Sequence, residues 1–209
     1  MKLKSILGSV VIFILLFSVC SGEKINSWEI KKSEKIDKLV FFGDSLTAGF
    51  GLQNQKDSFP NLIASSLNLP FERFSFSGYT TSDALNKLNG LANGKNKLII
   101  VTLGGNDLLR SRPLNETEEN LKKIFKDLDE KGYTILYTEV LGLIGGKRHQ
   151  MHLRVCKELK VALVPDIMAG VFSNANLMQS DSVHPAASGC KVIAEKISTV
   201  IKDLELTTP

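Results

Sequence analysis

The chain is poor in cysteine, with three in 209 residues. So few cannot staple a disulfide scaffold, and a chain this long can bury a full core without one. Six prolines and the lack of any low-complexity tract exclude a disordered or linker-like sequence. No segment repeats, which excludes solenoids and propellers. An excess of one charge is missing too: the formal net charge is +4, and no basic patch is interleaved with aromatics. Nothing therefore marks a nucleic-acid partner. Histidine is scarce, and His149, His152 and His184 are the whole supply. His149 and His152 stand i, i+3, but no Cys or carboxylate cluster beside them completes a metal site, so they read as surface or helix-edge residues. No metal and no cofactor is expected.

What is present begins with the N-terminus. Lys2 and Lys4 give a basic start, Ile6 to Val19 is almost wholly apolar, and Cys20-Ser21-Gly22 follows. This is the layout of a secretory signal peptide, and the apolar run is short for a membrane-spanning helix. Removal of the two lysines with the leader leaves a net charge of about +2. Cys20 stands where a lipoprotein signal places its acylated cysteine, although Val19 is larger than the small residue usual before it. Two alternatives stay open, ordinary cleavage nearby, for example after Gly22, and an uncleaved anchor. The expected organisation is a signal peptide over 1–20, a charged tether over 21–37 and one domain over 38–209. The protein is expected to be exported, periplasmic or attached to a membrane through lipid on Cys20, and nothing requires more than a monomer.

From Lys38 the pattern alternates between strand and helix. Strand-like runs cover Leu39–Phe42, Phe71–Phe76, Lys97–Leu103, Tyr133–Leu141 and Val161–Val164. Three are nearly continuous apolar runs, as for strands buried on both faces. Asp57-Ser58 can cap a helix running to about Leu67, and Thr80-Thr81-Ser82-Asp83 opens another. Leu121, Ile124, Phe125 and Leu128 give a third helix one apolar face, with Asn115 read as its cap and Gly132 as its end. A fourth spans roughly His149–Leu159. The last starts at Pro185 and buries Ile193, Ile197, Val200, Ile201 and Leu204. Such alternation predicts a three-layer α/β/α, flavodoxin-like fold on a five-stranded parallel sheet of order 2-1-3-4-5. Cys156 and Cys190 then fall on helices covering opposite faces, too far apart for a disulfide, and read as small buried apolar residues.

Chemistry-bearing motifs fall at the carboxyl ends of these strands or at the start of the last helix, where folds of this kind place their sites. Gly43-Asp44-Ser45-Leu46 follows the first strand, Ser77-Gly78-Tyr79-Thr80 the second, and Gly104-Gly105-Asn106-Asp107 the third. Asp181-x-x-His184 precedes the last helix. A serine hydroxyl needs a base in contact to act as a nucleophile. His184 is the candidate base for Ser45. Asp181, three residues before it, is the candidate that fixes the imidazole tautomer and stabilises the imidazolium.

These four blocks resemble the SGNH hydrolases, also called the GDSL esterase/lipase family, most closely its bacterial arylesterase, thioesterase and lysophospholipase branch. The resemblance runs from about Leu39 to the C-terminus. It implies a serine esterase acting on arylesters, lysophospholipids or acyl thioesters through an acyl-enzyme, with Ser45, Asp181 and His184 catalytic. It also implies an oxyanion hole of the Ser45 N–H, the Gly78 N–H and the Asn106 side chain. Gly49-Phe50-Gly51-Leu52, Leu108-Leu109-Arg110 and Leu177-Met178-Gln179 look like the same branch. Tyr79 departs from it, since that branch often carries a short polar or acidic residue there. Two rivals are a carbohydrate acetylesterase of the same family and a catalytically silent surface lipoprotein that binds a partner. An α/β-hydrolase is excluded because Thr47 stands where its G-x-S-x-G elbow needs glycine.

Overall fold

A computed structural model describes residues 25–142 and 145–207. The expected leader, residues 1–20, and Cys20 lie outside the described residues. Five parallel strands form one sheet in the order β2-β1-β3-β4-β5. They are β1 (Lys38–Gly43), β2 (Phe71–Ser75), β3 (Lys97–Thr102), β4 (Thr134–Thr138) and β5 (Ala162–Val164). In register, Phe42 of β1 lies beside Phe74 of β2 and Val101 of β3.

Successive side chains of a strand point to opposite faces, so a strand covered on both sides is apolar throughout. Leu39 and Phe41 of β1, with Leu98 and Ile100 of β3, enter one core. Val40, Phe42, Ile99 and Val101 enter the other. The first core is closed by α2 (Phe59–Leu67) and α7 (Ala187–Asp203), through Phe59, Ile63, Ile193 and Ile197. The second is closed by α3 (Thr81–Leu85), α5 (Leu114–Glu130) and α6 (Gly146–Glu158), through Ala84, Leu121, Ile124 and Val155. Two one-turn helices, α1 (Ser45–Ala48) and α4 (Gly105–Leu109), follow β1 and β3. Cys156 and Cys190 are buried free thiols in different cores, with the sheet between them.

Asn115 does not cap α5 as expected: Pro113 occupies the cap and Asn115 is already helical. The fourth strand is shorter than the expected Tyr133–Leu141. The described part of the expected tether packs on the domain. The Asn26 carboxamide pairs with both backbone groups of Leu163, its nitrogen donating at 2.9 Å and its oxygen accepting at 2.9 Å. The Trp28 indole donates to Val161 O at 3.0 Å, Ser33 N to Thr134 Oγ1 at 2.7 Å and Asp37 N to Asn96 O at 3.0 Å. Ile36 is buried in the first core. The segment thus covers the outer edge of β5 and the starts of the strands, the end opposite the motifs. It is held by scattered contacts rather than by a ladder, which is why its sequence shows no period.

Candidate active site

Ser45 opens α1 directly after β1. Asp44 caps that turn, its Oδ1 accepting from Leu46 N at 3.0 Å. Gly43 has no room for a side chain, since a Cβ there would lie 2.3 Å from Thr47 Oγ1 and 2.6 Å from Thr102 O. The strand end therefore packs tightly enough to fix where Ser45 starts. Its Oγ lies 2.9 Å from His184 Nε2, and His184 Nδ1 lies 2.6 Å from Asp181 Oδ2.

The Asp181–His184 turn is built to hold that geometry. Asp181 Oδ1 accepts from the backbone N–H of both Val183 and His184, each at 3.0 Å. The His184 N–H, then the imidazole and the Val183 N–H, hold the carboxyl at a pKa of about 2, below the usual 3.8. It therefore stays charged across the neutral range.

Gly78 and Asn106 stand on the neighbouring loops. Gly78 adopts φ 81°, in the left-handed region that favours glycine. Its carbonyl accepts from Arg110 Nη2 at 2.7 Å, which fixes the orientation of the following peptide. Asn106 Nδ2 donates to Tyr79 O at 3.0 Å and to Asp44 Oδ2 at 3.2 Å. Both amide protons are thus engaged, and an oxyanion there could be served only if one acceptor gave way. Burial pushes the Asp44 carboxyl up to about 7, with Leu46 N–H and the nearby His184 opposing. Near neutrality much of the negative charge Asp44 would place beside the amide is therefore suppressed.

Three further residues of the motif blocks arrange these loops. Buried Asp107 accepts from Thr81 N at 2.9 Å and from Thr81 Oγ1 at 2.6 Å, tying the Gly78 loop to the Asn106 loop. Gln179 Nε2 donates to Phe50 O at 2.7 Å and to Pro185 O at 3.0 Å, joining the loop after Ser45 to the turn carrying His184. Phe50 lays its ring 4.8 Å from the His184 ring, shielding one face of the imidazole. The only sequence signal for Asp107 and Gln179 was their place inside the motif blocks.

A cleft of about 280 Å³ opens over Ser45 and His184, walled mainly by apolar groups including Phe50, Leu108, Leu109, Val140, Phe172 and Val183. Phe50, Leu109 and Val183 are the exposed large hydrophobic side chains among the described residues. Among those residues no group of three or more His, Cys, Asp and Glu is arranged to hold a metal ion. His152 is not the surface or helix-edge residue expected, whereas His149 stays partly exposed. His152 is buried, and both Nδ1 atoms face the carboxylate of Glu139, at 2.9 Å and 2.7 Å. Their partner lies on a different element, at the end of β4, so helical spacing could not reveal it.

The model of the GDSL-like Lipase/Acylhydrolase family matches residues 41–192, which span the serine, glycine, asparagine and aspartate–histidine blocks. The chain belongs to this family. The GDSL-like chain is similar to an arylesterase of Vibrio mimicus, 27% identical over 178 residues, covering 79% of this chain and 88% of the relative. It is similar to the thioesterase 1/protease 1/lysophospholipase L1 of Escherichia coli K12, 28% identical over 177 residues and covering 80% and 85%. The solved structure of TesA superposes with a TM-score of 0.73 at 26% identity, covering 80% of this chain and 99% of that one. Like its relatives, this GDSL-like protein is a carboxylic ester hydrolase, and its parallel α/β sheet is the fold they share.

Proposed function

We propose that this hydrolase is a serine esterase that cleaves carboxylic esters of apolar acyl groups, arylesters, lysophospholipids or acyl thioesters, through an acyl-enzyme on Ser45. The observation that carries the reading is the unbroken chain of contacts from Asp181 through His184 to Ser45 Oγ at the floor of an apolar cleft. In the first step Ser45 Oγ attacks the carbonyl carbon while its proton passes to His184 Nε2, and the resulting imidazolium is balanced by Asp181. The Ser45 and Gly78 N–H groups and Asn106 Nδ2 stabilise the oxyanion, Asn106 by releasing Asp44 or the Tyr79 carbonyl. Collapse of the tetrahedral intermediate breaks the bond to the leaving alkoxide or thiolate, which takes the proton from His184. Water, deprotonated by His184, then attacks the acyl-serine, and the carboxylic acid leaves as Ser45 recovers its proton.

The apolar lining favours acyl chains over sugars, whose hydroxyls would need polar partners in the cleft. The test compares kcat/KM on p-nitrophenyl acetate, butyrate and octanoate with turnover of an acetylated xylo-oligosaccharide. Preference for butyrate or octanoate is expected, and faster release of acetate from the sugar would overturn the assignment. The basic start, apolar run and Cys20 support the further proposal that the protein is exported and acylated on Cys20. Incorporation of labelled palmitate by the wild type and not by Cys20→Ala tests it.

A further inference from the structure

A second cluster of titratable side chains lies at the end of β4, outside the site above. Glu139 is fully buried, yet its carboxylate accepts from His152 Nδ1 at 2.7 Å, His149 Nδ1 at 2.9 Å and Asp166 N at 3.1 Å. Its backbone is pinned as well, its N–H donating to Val164 O at 3.0 Å and its carbonyl accepting from Ile167 N at 2.9 Å. His152 reaches the Tyr137 hydroxyl with Nε2 at 3.2 Å, and Asp166 Oδ1 accepts from Leu141 N at 3.4 Å. One carboxylate thus joins the end of β4, the first turns of α6 and the loop after β5. A buried charge is costly unless its lone pairs are filled. Filled as it is here, it becomes a fixed point between three segments.

The consequence lies one residue away. Val140 and Gly142, on the segment that starts at Glu139, and Phe172, on the loop after β5, all line the cleft, whereas Glu139 does not. Val140 also stands against Gly105 and Gly142 against Leu108, beside the Asn106 loop. We propose that Glu139, held by His149 and His152, is a positioning residue that fixes the cleft wall of Val140, Gly142 and Phe172 and so sets the acyl-chain length accepted. This deepens the esterase reading and rests on it.

Glu139→Gln keeps the shape of the side chain but presents an NH₂ group where an imidazole N–H now finds an acceptor. The wall should loosen while the Ser45–His184 pair is untouched. The experiment measures kcat/KM on p-nitrophenyl esters from acetate to dodecanoate, with the melting temperature of each variant. The octanoate-to-acetate ratio should fall by roughly 10-fold, the scale of losing one good apolar contact in a pocket, with acetate turnover little changed. His149→Ala should shift the ratio in the same direction by less. Its side chain is 26% exposed, so this variant carries the test if Glu139→Gln does not fold. A folded variant whose ratio equals the wild-type ratio, whether all esters slow in parallel or none do, overturns the proposal. A wild-type protein that hydrolyses none of the esters would instead bring down the esterase reading beneath it.

Discussion

Ser45→Ala is expected to lower kcat on p-nitrophenyl butyrate by about 10⁶-fold, the scale of removing the nucleophile from a serine hydrolase. The melting temperature should barely move, because Ser45 is only partly buried and its side chain contacts His184 rather than either core. The size of the loss follows from the geometry. In the proposed mechanism Ser45 Oγ passes its proton to His184, which Asp181 orients, and with Oγ gone the remaining two groups have nothing to activate but water. Steady-state turnover together with a thermal melt checks both halves. Turnover close to wild type would remove Ser45 from the chemistry.

Asp181→Asn is expected to cost about 10⁴-fold in kcat, as the equivalent change does in a serine-protease triad. The asparagine oxygen can still accept from Val183 N and His184 N, so the turn should keep its shape. The amide nitrogen then faces His184 Nδ1 as a donor. That favours the tautomer with the proton on Nε2, which cannot take the proton of Ser45. His184→Ala should be at least as severe, since it removes the base. The carboxylate also contributes to stability, with a definite sign. Its folded pKa of about 2 lies below the ordinary 3.8, so its contribution is present in full above pH 4 and is lost as the pH falls towards 2. The melting temperature of Asp181→Asn should lack that acid limb. The pair of kcat values at neutral pH is decisive. A near-normal Asp181→Asn beside a dead His184→Ala would make the site a Ser–His dyad and reduce Asp181 to a brace for the turn.

The framework was legible because its signals are local. Leu39 to Phe42 and Leu98 to Val101 read as strands buried on both faces, and their residues do divide alternately between two cores. Leu121, Ile124, Phe125 and Leu128 marked the buried face of α5, and the stretch from Thr80 to Asp83, read as the opening of a helix, does open α3, with a capping box between its end residues. The parallel sheet followed from the alternation of elements, its order was the common one for a fold of this size, and the four motif blocks gather at one end of it. The lead-in over residues 25–37 was illegible because its contacts are scattered and distant in sequence, such as Asn26 to Leu163 and Ser33 to Thr134. Glu139 was illegible for a different reason: its partners are near in sequence but sit on other elements. It read as part of an overlong fourth strand, and only the fold brings it against His149 and His152. Within the site, the motifs named side chains but not their partners. That both amide protons of Asn106 are already taken, or that Gln179 joins two loops, is information carried by distance alone.

In the proposed reaction Ser45 forms a covalent bond to the substrate's acyl group. A fluorophosphonate probe reacts with an activated serine as an ester does but leaves a stable adduct, so peptide mapping of the labelled protein locates that bond. A single adduct is expected on the peptide containing Ser45, formed by the wild type, absent in Ser45→Ala and strongly slowed in His184→Ala. An unlabelled wild-type protein, or an adduct on any other residue that survives Ser45→Ala, would contradict it.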